Sequence, residues 1–273
     1  MGGLFQPFLF EPLRHFYRLF ANKQYRAWSL LESSMRKVSR FTPCQATVHD
    51  LRLSMPDAAS FLSAYKEIFI EEIYAFPFDG DEPVILDLGA NIGLSVLFFK
   101  KLYPKAKIIA FEADPKIFSY LRENIYGNGL TDVDLVNKAA WNKETKLLFC
   151  SEGADGGRAA SAEDENLIEV DAVDMAQYLE GKKIDFLKMD IEGAEEFVLP
   201  ACTKFLPNIG RIFVEYHSRA DRKQCLDQLL GILSEAGFTL HVHSILSSPS
   251  PFTEIRTVSG FDLQLNIFGW RAE

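Results

Sequence analysis

The chain has 273 residues, 48% of them hydrophobic, enough apolar material to bury a full core. Its formal charge is −9, and its four cysteines, Cys44, Cys150, Cys202 and Cys225, are too scattered for a zinc or disulfide framework, so the composition argues against a nucleic-acid partner and for reduced thiols. No apolar run reaches the 18 residues of a transmembrane helix, and Glu11, Arg14 and Arg18 interrupt any apolar leader, which predicts a cytoplasmic protein.

Charge is uneven along the chain. Residues 1–40 hold seven Lys/Arg against Glu11 and Glu32. Phe10, Leu13, Phe16, Tyr17 and Phe20 recur at helical spacing, as do Tyr25, Trp28, Leu31, Met35 and Val38, so two basic amphipathic helices are expected. They read either as a cap or homodimer surface, or as a contact for an anionic substrate, a carrier protein or a membrane surface. Thr47 to Met55 reads as a short strand, and Pro56-Asp57 opens a helix through Phe61, Leu62, Tyr65, Ile68 and Phe69. Residues 1–78 are therefore a helical extension, and 79–273 the main domain.

In that domain strands and helices alternate. Strands are expected at 84–88, 107–112, 133–137, 145–150, 167–170, 184–190, 211–216, 238–245 and 261–269. Helices fall at 94–102, 115–127, 174–180, 193–199 and 222–236. This is the pattern of a doubly wound α/β sheet with a final antiparallel pair at its edge. Ser151 to Glu165, with Gly153, Gly156 and Gly157, reads as a flap over a cleft or as an ordinary surface loop.

The first chemically dense stretch is VILDLGANIGLSVLFF at 84–99. An apolar run ends in Asp87 and a turn bracketed by Gly89 and Gly93, a geometry that brings a ligand against backbone and helix N–H groups. Ala90, Asn91 and Ile92 separate the glycines, so the pattern departs from the G-x-G-x-x-G dinucleotide fingerprint and disfavours NAD. Asp87 would repel a pyrophosphate and suits a positively charged ligand such as S-adenosylmethionine (SAM); the plain alternative is a tight turn with no ligand. Glu112 lies 19 residues after Gly93 at the end of the next strand, where an acid accepts ribose hydroxyls. Asp114-Pro115 reads as a helix N-cap.

The second stretch, IDFLKMDIEGAE at 184–195, delivers Asp190 and Glu192 to the carboxyl end of a buried strand, where they either work on a ligand or cap the following helix. The next strand ends in Glu215-Tyr216-His217, with Glu215 and His217 on one face by the two-residue period and His217 a candidate general base. His241 and His243 alternate on a later strand that half-exposure alone explains.

DLGANIGLSVLFF, FEADP, the KAAWN turn at 138–142, IDFLKMDIEGAE and VEYH occur in an order and character that resembles the FkbM family of SAM-dependent methyltransferases, over roughly residues 65–217. The resemblance implies a Rossmann-like, seven-stranded, mostly parallel sheet with helices on both faces. It implies methyl transfer to a hydroxyl of a small metabolite such as a sugar or polyketide. It also implies cofactor contacts from Asp87, Gly89, Ala90, Asn91 and Gly93, from Glu112 and Ala113, from Ala139 and Ala140, and from Glu72 ahead of the core. A neutral alcohol needs activation, either by His217 with Glu215 and Asp190, or by Mg²⁺ held by Asp190, Glu192 and Glu215. N-methylation of a small molecule, and a SAM-binding scaffold without turnover, are the alternatives.

Overall fold

Helical spacing of Tyr25, Trp28 and Met35 places three buried side chains on α1 (Lys23–Met35). The computed structural model describes residues 23–48, 50–151, 157–159 and 167–271, which divide into two compact units after Ile73. The expected helix through Phe10–Phe20 and most of the segment 151–165 lie outside the described residues.

In the first unit, β1 (Cys44–Val48) and β2 (Leu51–Met55) pair as an antiparallel hairpin, where the sequence suggested one strand from Thr47. Asp50 in the intervening turn has φ +69°, the left-handed backbone that lets so short a connection reverse the chain. The buried Asp57 carboxylate accepts from the backbone N–H of Ser60 at 2.9 Å and from Arg40 at 2.9 Å, starting α2 (Ala58–Tyr65). The helix widens into a π-helical turn at Lys66–Ile70, and its stripe of Phe61, Leu62, Tyr65, Ile68 and Phe69 is buried as the spacing requires.

The second unit begins β3 (Val84–Leu88), α3 (Leu94–Leu102), β4 (Lys107–Phe111), α4 (Pro115–Gly127), β5 (Val133–Val136). β6 (Ala139–Trp141), β7 (Thr145–Cys150), β8 (Arg158–Ala159) and β9 (Leu167–Asp174) then form a separate small sheet in the order β6-β9-β7-β8. The alternation read β7 and β9 as part of the main sheet and β6 as a turn. Their half-exposed, alternating pattern suits a sheet with one wet face instead. The chain continues through α5 (Met175–Leu179), β10 (Ile184–Met189), α6 (Glu195–Ala201), β11 (Ile209–Arg219), α7 (Leu226–Glu235), β12 (Thr239–Leu246) and β13 (Phe261–Trp270).

The main sheet has seven strands in the order β12-β13-β11-β10-β3-β4-β5. β13 is antiparallel to both neighbours while the other pairs are parallel, so the sheet is mostly parallel and its last strand is threaded inside the edge strand β12. The parallel strands run outward in chain order from β3 in one direction and from β10 in the other, with β13 inserted between β11 and β12. Right-handed crossovers then put α3 and α4 on one face and α6 and α7 on the other. The reversal between β3 and β10 opens a crevice outside their carboxyl ends, the usual ligand position in such sheets. No helix among the described residues is long and apolar enough to cross a membrane. None of the four cysteines forms a disulfide; Cys150 and Cys202 are buried, Cys44 and Cys225 half-buried.

Candidate functional site

Asp87, one residue before the end of β3, is fully buried, and the protein already uses its charge. Ser95 donates to one carboxylate oxygen at 2.5 Å, and the other lies 3.3 Å from the Lys188 ammonium without a hydrogen bond. Gly89 has φ +85°, and a Cβ there would sit 1.8 Å from the carbonyl oxygen of Asp190. Its glycine is therefore demanded by the close approach of the two strand ends, before any ligand is considered. Gly93, at φ +93°, would push a Cβ to 2.8 Å from Leu121 as α3 packs on α4. The turn between them is tied down by Gly89 and Ala90 N–H groups donating to Phe111 O at 3.0 and 2.8 Å.

Glu112 follows β4. Its two carboxylate oxygens accept from Asn91 N–H at 3.0 Å and Asp114 N–H at 2.9 Å, so it braces the glycine turn against its own loop. Burial pushes its pKa up to about 7, against the pull of those two N–H groups. Asp114 caps α4 through Lys116 N–H at 2.8 Å, and Asn137 donates to the carbonyls of Glu112 and Ala113 at 2.8 and 3.1 Å. Ala90, Ala139 and Ala140 are buried around these loops and Ala113 is half-buried. Glu72 lies in the first unit, exposed, with φ +53°.

Across the crevice, the 190–195 acids divide between bracing backbone and facing the crevice. No side chain caps α6; Glu195, its first residue, braces the loop ahead of it, its buried carboxylate accepting from Ile191 N–H and Gly193 N–H, both at 2.9 Å. Asp190 and Glu192 are released from that duty, and Glu192 holds a left-handed φ of +56° that a glutamate adopts only under constraint. Buried His217 reaches Glu192, Glu195 and Glu215. Its Nε2 lies 3.4 Å from Glu192 and 3.6 Å from Glu215, and its Nδ1 lies 3.3 Å from Glu195 and 3.1 Å from the Glu215 carbonyl. Tyr216 between them turns into the core, as the strand period requires.

Burial works against a charged imidazole, but the Glu192, Glu195 and Glu215 carboxylates outweigh it and raise the His217 pKa well above its usual value. Ligand atoms of Asp190, Glu192 and His217 lie within 4.8 Å of one another; Glu215 is not in that set.

Lys188 and Glu195 are the groups that motif reasoning passed over. Lys188 is 2% exposed between the apolar Phe186-Leu187 and Met189, donates to Gly89 O at 2.8 Å and lies 3.2 Å from Asp190. A lysine inside FLKMD was the available signal, because a buried ammonium needs partners of opposite charge. Along the whole edge five carboxylates, Asp87, Asp190, Glu192, Glu195 and Glu215, face two cations, Lys188 and His217. A cleft of about 330 Å³ opens beside Glu192 and Gly193.

The family model for the methyltransferase FkbM domain matches residues 87–240, which carry both halves of this edge. The chain belongs to the FkbM methyltransferase family. Family relatives include methyltransferase sdnD of Sordaria araneosa, 31% identical over 171 residues, half of this chain and 66% of that protein. The 31-O-demethyl-FK506 methyltransferase FkbM of Streptomyces tacrolimicus is 27% identical over 219 residues, 67% of this chain and 82% of its own. The 2-O-methyltransferase NoeI of Sinorhizobium fredii is 27% identical over 157 residues, 50% of this chain and 63% of its own. The chain thus spans just under two thirds of the Sordaria and Sinorhizobium proteins.

Proposed function

We propose that this chain transfers a methyl group from SAM to a hydroxyl of a small-molecule acceptor. One observation carries the reading: the Glu112-braced turn and the Asp190–Glu192–His217 cluster open on the same crevice, at the switch between β3 and β10. SAM, when bound, supplies a methyl carbon made electrophilic by a sulfonium. Glu112 has lone pairs left for ribose hydroxyls after its two backbone bonds. The excess of carboxylates over cations suits a ligand with two positive centres, and Asp87 contributes to that field from behind Lys188. The proton leaving the acceptor hydroxyl passes to a carboxylate of the Asp190–Glu192–His217 cluster, where the His217 imidazole lies 3.4 Å from Glu192 and can relay it onward. The names of the Streptomyces and Sinorhizobium relatives both specify O-methyl transfer, which supports an oxygen acceptor. Calorimetric titration tests the donor: S-adenosylhomocysteine binds and NAD does not, and NAD binding of comparable strength would overturn the assignment.

A second reading adds a divalent cation. The donor set of Asp190, Glu192 and His217 has the right atoms, and His217 Nδ1 is backed by Glu195 and a carbonyl, the arrangement that orients an imidazole ligand. An imidazole in the set suits Mn²⁺ better than the Mg²⁺ expected from oxygen ligands alone. On this reading EDTA abolishes turnover and added Mn²⁺ restores it; turnover indifferent to EDTA removes the cation.

The basic residues 1–40 serve acceptor binding or assembly. Deleting them is expected to leave SAM affinity within a few-fold and to change acceptor kinetics or the mass seen by light scattering.

A further inference from the structure

The cleft beside Glu192 and Gly193 has a lining unlike the rest of this acidic chain. Trp141 and Phe197 form one wall, with ring centroids 5.1 Å apart, and Phe197 is 38% exposed. Lys146, Arg158, Arg219 and Arg222 also line it. Lys146 pairs with Glu169 at 2.5 Å, Arg219 with Asp221 at 2.9 Å and Arg222 with Glu196 at 2.8 Å. Glu169 and Asp221 are more than half exposed, so those two pairs are weak and their cations are easily shared with a ligand.

Arg219 carries the decisive detail. It stands two residues past His217, where β11 loses register with β13 between Ser218 and Arg219, a bulge of the kind that re-aims a side chain. Its Nε and Nη2 both bond Asp221 at 2.9 Å, while its Nη1 is buried and has no acceptor. A buried guanidinium N–H left without an acceptor is costly, so the fold gains when a ligand oxygen reaches it. An aromatic wall facing a guanidinium fits a ring that bears an anion: the flat face packs on Trp141 and Phe197, and the anion takes bidentate or charge-assisted bonds.

We infer that this cleft is the acceptor site and that it selects a hydroxylated ring carrying a carboxylate or phosphate group, with the anion on Arg219 and Arg222 and the hydroxyl presented toward Glu192 and His217. The inference rests on the methyl-transfer reading for the identity of the reacting end, but the anion preference can be measured by itself. The full chain is titrated calorimetrically, with and without S-adenosylhomocysteine, with two matched pairs of probes: 4-hydroxybenzoate against phenol and glucuronate against glucose. The expected result is that at least one anionic probe binds about tenfold or more tightly than its neutral counterpart, and the pair that shows it tells an aromatic ring from a sugar. Arg219→Met is expected to erase most of that preference and Arg222→Met part of it, with S-adenosylhomocysteine affinity unchanged. Equal binding of the neutral partners, no binding of either anionic probe at millimolar concentration, or a preference that survives both substitutions would overturn the inference. Failure of S-adenosylhomocysteine to bind would strike the methyl-transfer reading alone, since the anion preference is still read without it.

Discussion

The two halves of the crevice are built on different physics. At the β3–β4 end every acid has a structural partner: Asp87 takes Ser95, and Glu112 takes two backbone N–H groups. At the β10–β11 end Glu195 alone is spent on bracing backbone N–H groups, and Asp190, Glu192 and Glu215 crowd one imidazole. Both ends use a left-handed non-glycine residue, Asn91 at φ +49° and Glu192 at φ +56°. Asparagine tolerates that conformation, and here its own side chain accepts from Ile92 N–H at 2.7 Å; glutamate has no such compensation. The first end is thus a shape held by backbone geometry, and the second is a charge imbalance held by packing. Strain and unbalanced charge on the second end support the proposal that methyl transfer takes place there.

The most damaging way to break this contrast is Gly89→Ala. Its Cβ would strike the Asp190 backbone at 1.8 Å, and backbone cannot rotate away, so a loss of roughly 3–5 kcal/mol is expected, seen as a collapse of Tm or of soluble yield. Gly93→Ala has similar φ but meets the flexible tips of Leu121 and Ile125, and roughly 1–3 kcal/mol is expected. Equal costs for the two would mean that backbone conformation alone, and not the joining of the two strand ends, explains the glycines.

On the charge-built end the effect falls on turnover. His217→Ala and Asp190→Asn are each expected to lower turnover about 10²–10⁴-fold with S-adenosylhomocysteine affinity within a few-fold. Full activity in either would remove that residue from proton handling.

The contrast also explains what could be read from the chain before folding. The main sheet was legible because buried parallel strands are nearly continuous apolar runs: VILDL at 84–88 and IDFLKM at 184–189 stand out at once. The small sheet was not, since TKLLFC and LIEVDAVD have one wet face and nothing local says which strands they pair with. Glu112 is singled out by its distance from the glycine turn, but its two backbone bonds to that turn and its own loop carry no sequence signal. That Glu195, and not Asp190 or Glu192, ties down the loop before α6 was beyond reach, because three acids within six residues are interchangeable until the backbone of Glu192 turns left-handed. Gly89 was read for a ligand and turned out to be required by the Asp190 carbonyl, a contact across 101 residues that no local pattern carries.

A smaller effect separates the structural from the ligand-facing half of Glu112. Glu112→Ala is expected to weaken S-adenosylhomocysteine by about 1–3 kcal/mol, because it removes a charged acceptor from two hydroxyls. Unchanged affinity would leave Glu112 as a brace only.

The finest test uses the titration of the same group. Its folded pKa of about 7 lies above its usual 4.5, so between those values the folded state keeps a proton that the unfolded state has lost. The stability contributed by Glu112 is therefore full below about pH 4.5 and falls as pH rises to about 7. Glu112→Gln cannot ionise and should flatten that part of the slope, so the difference between the Tm–pH curves of the two proteins isolates the group from the Glu192–His217 pair. A ligand that donates hydroxyls to the carboxylate favours its ionised form, and S-adenosylhomocysteine affinity should rise between about pH 6 and 8 in the native chain but not in Glu112→Gln. Parallel Tm–pH curves would mean that the carboxylate is already ionised across this range and that its two backbone N–H bonds outweigh burial. A Tm difference without an affinity difference would place the ribose elsewhere, and the β3–β4 end would then be a structural hinge for the charged end across the crevice.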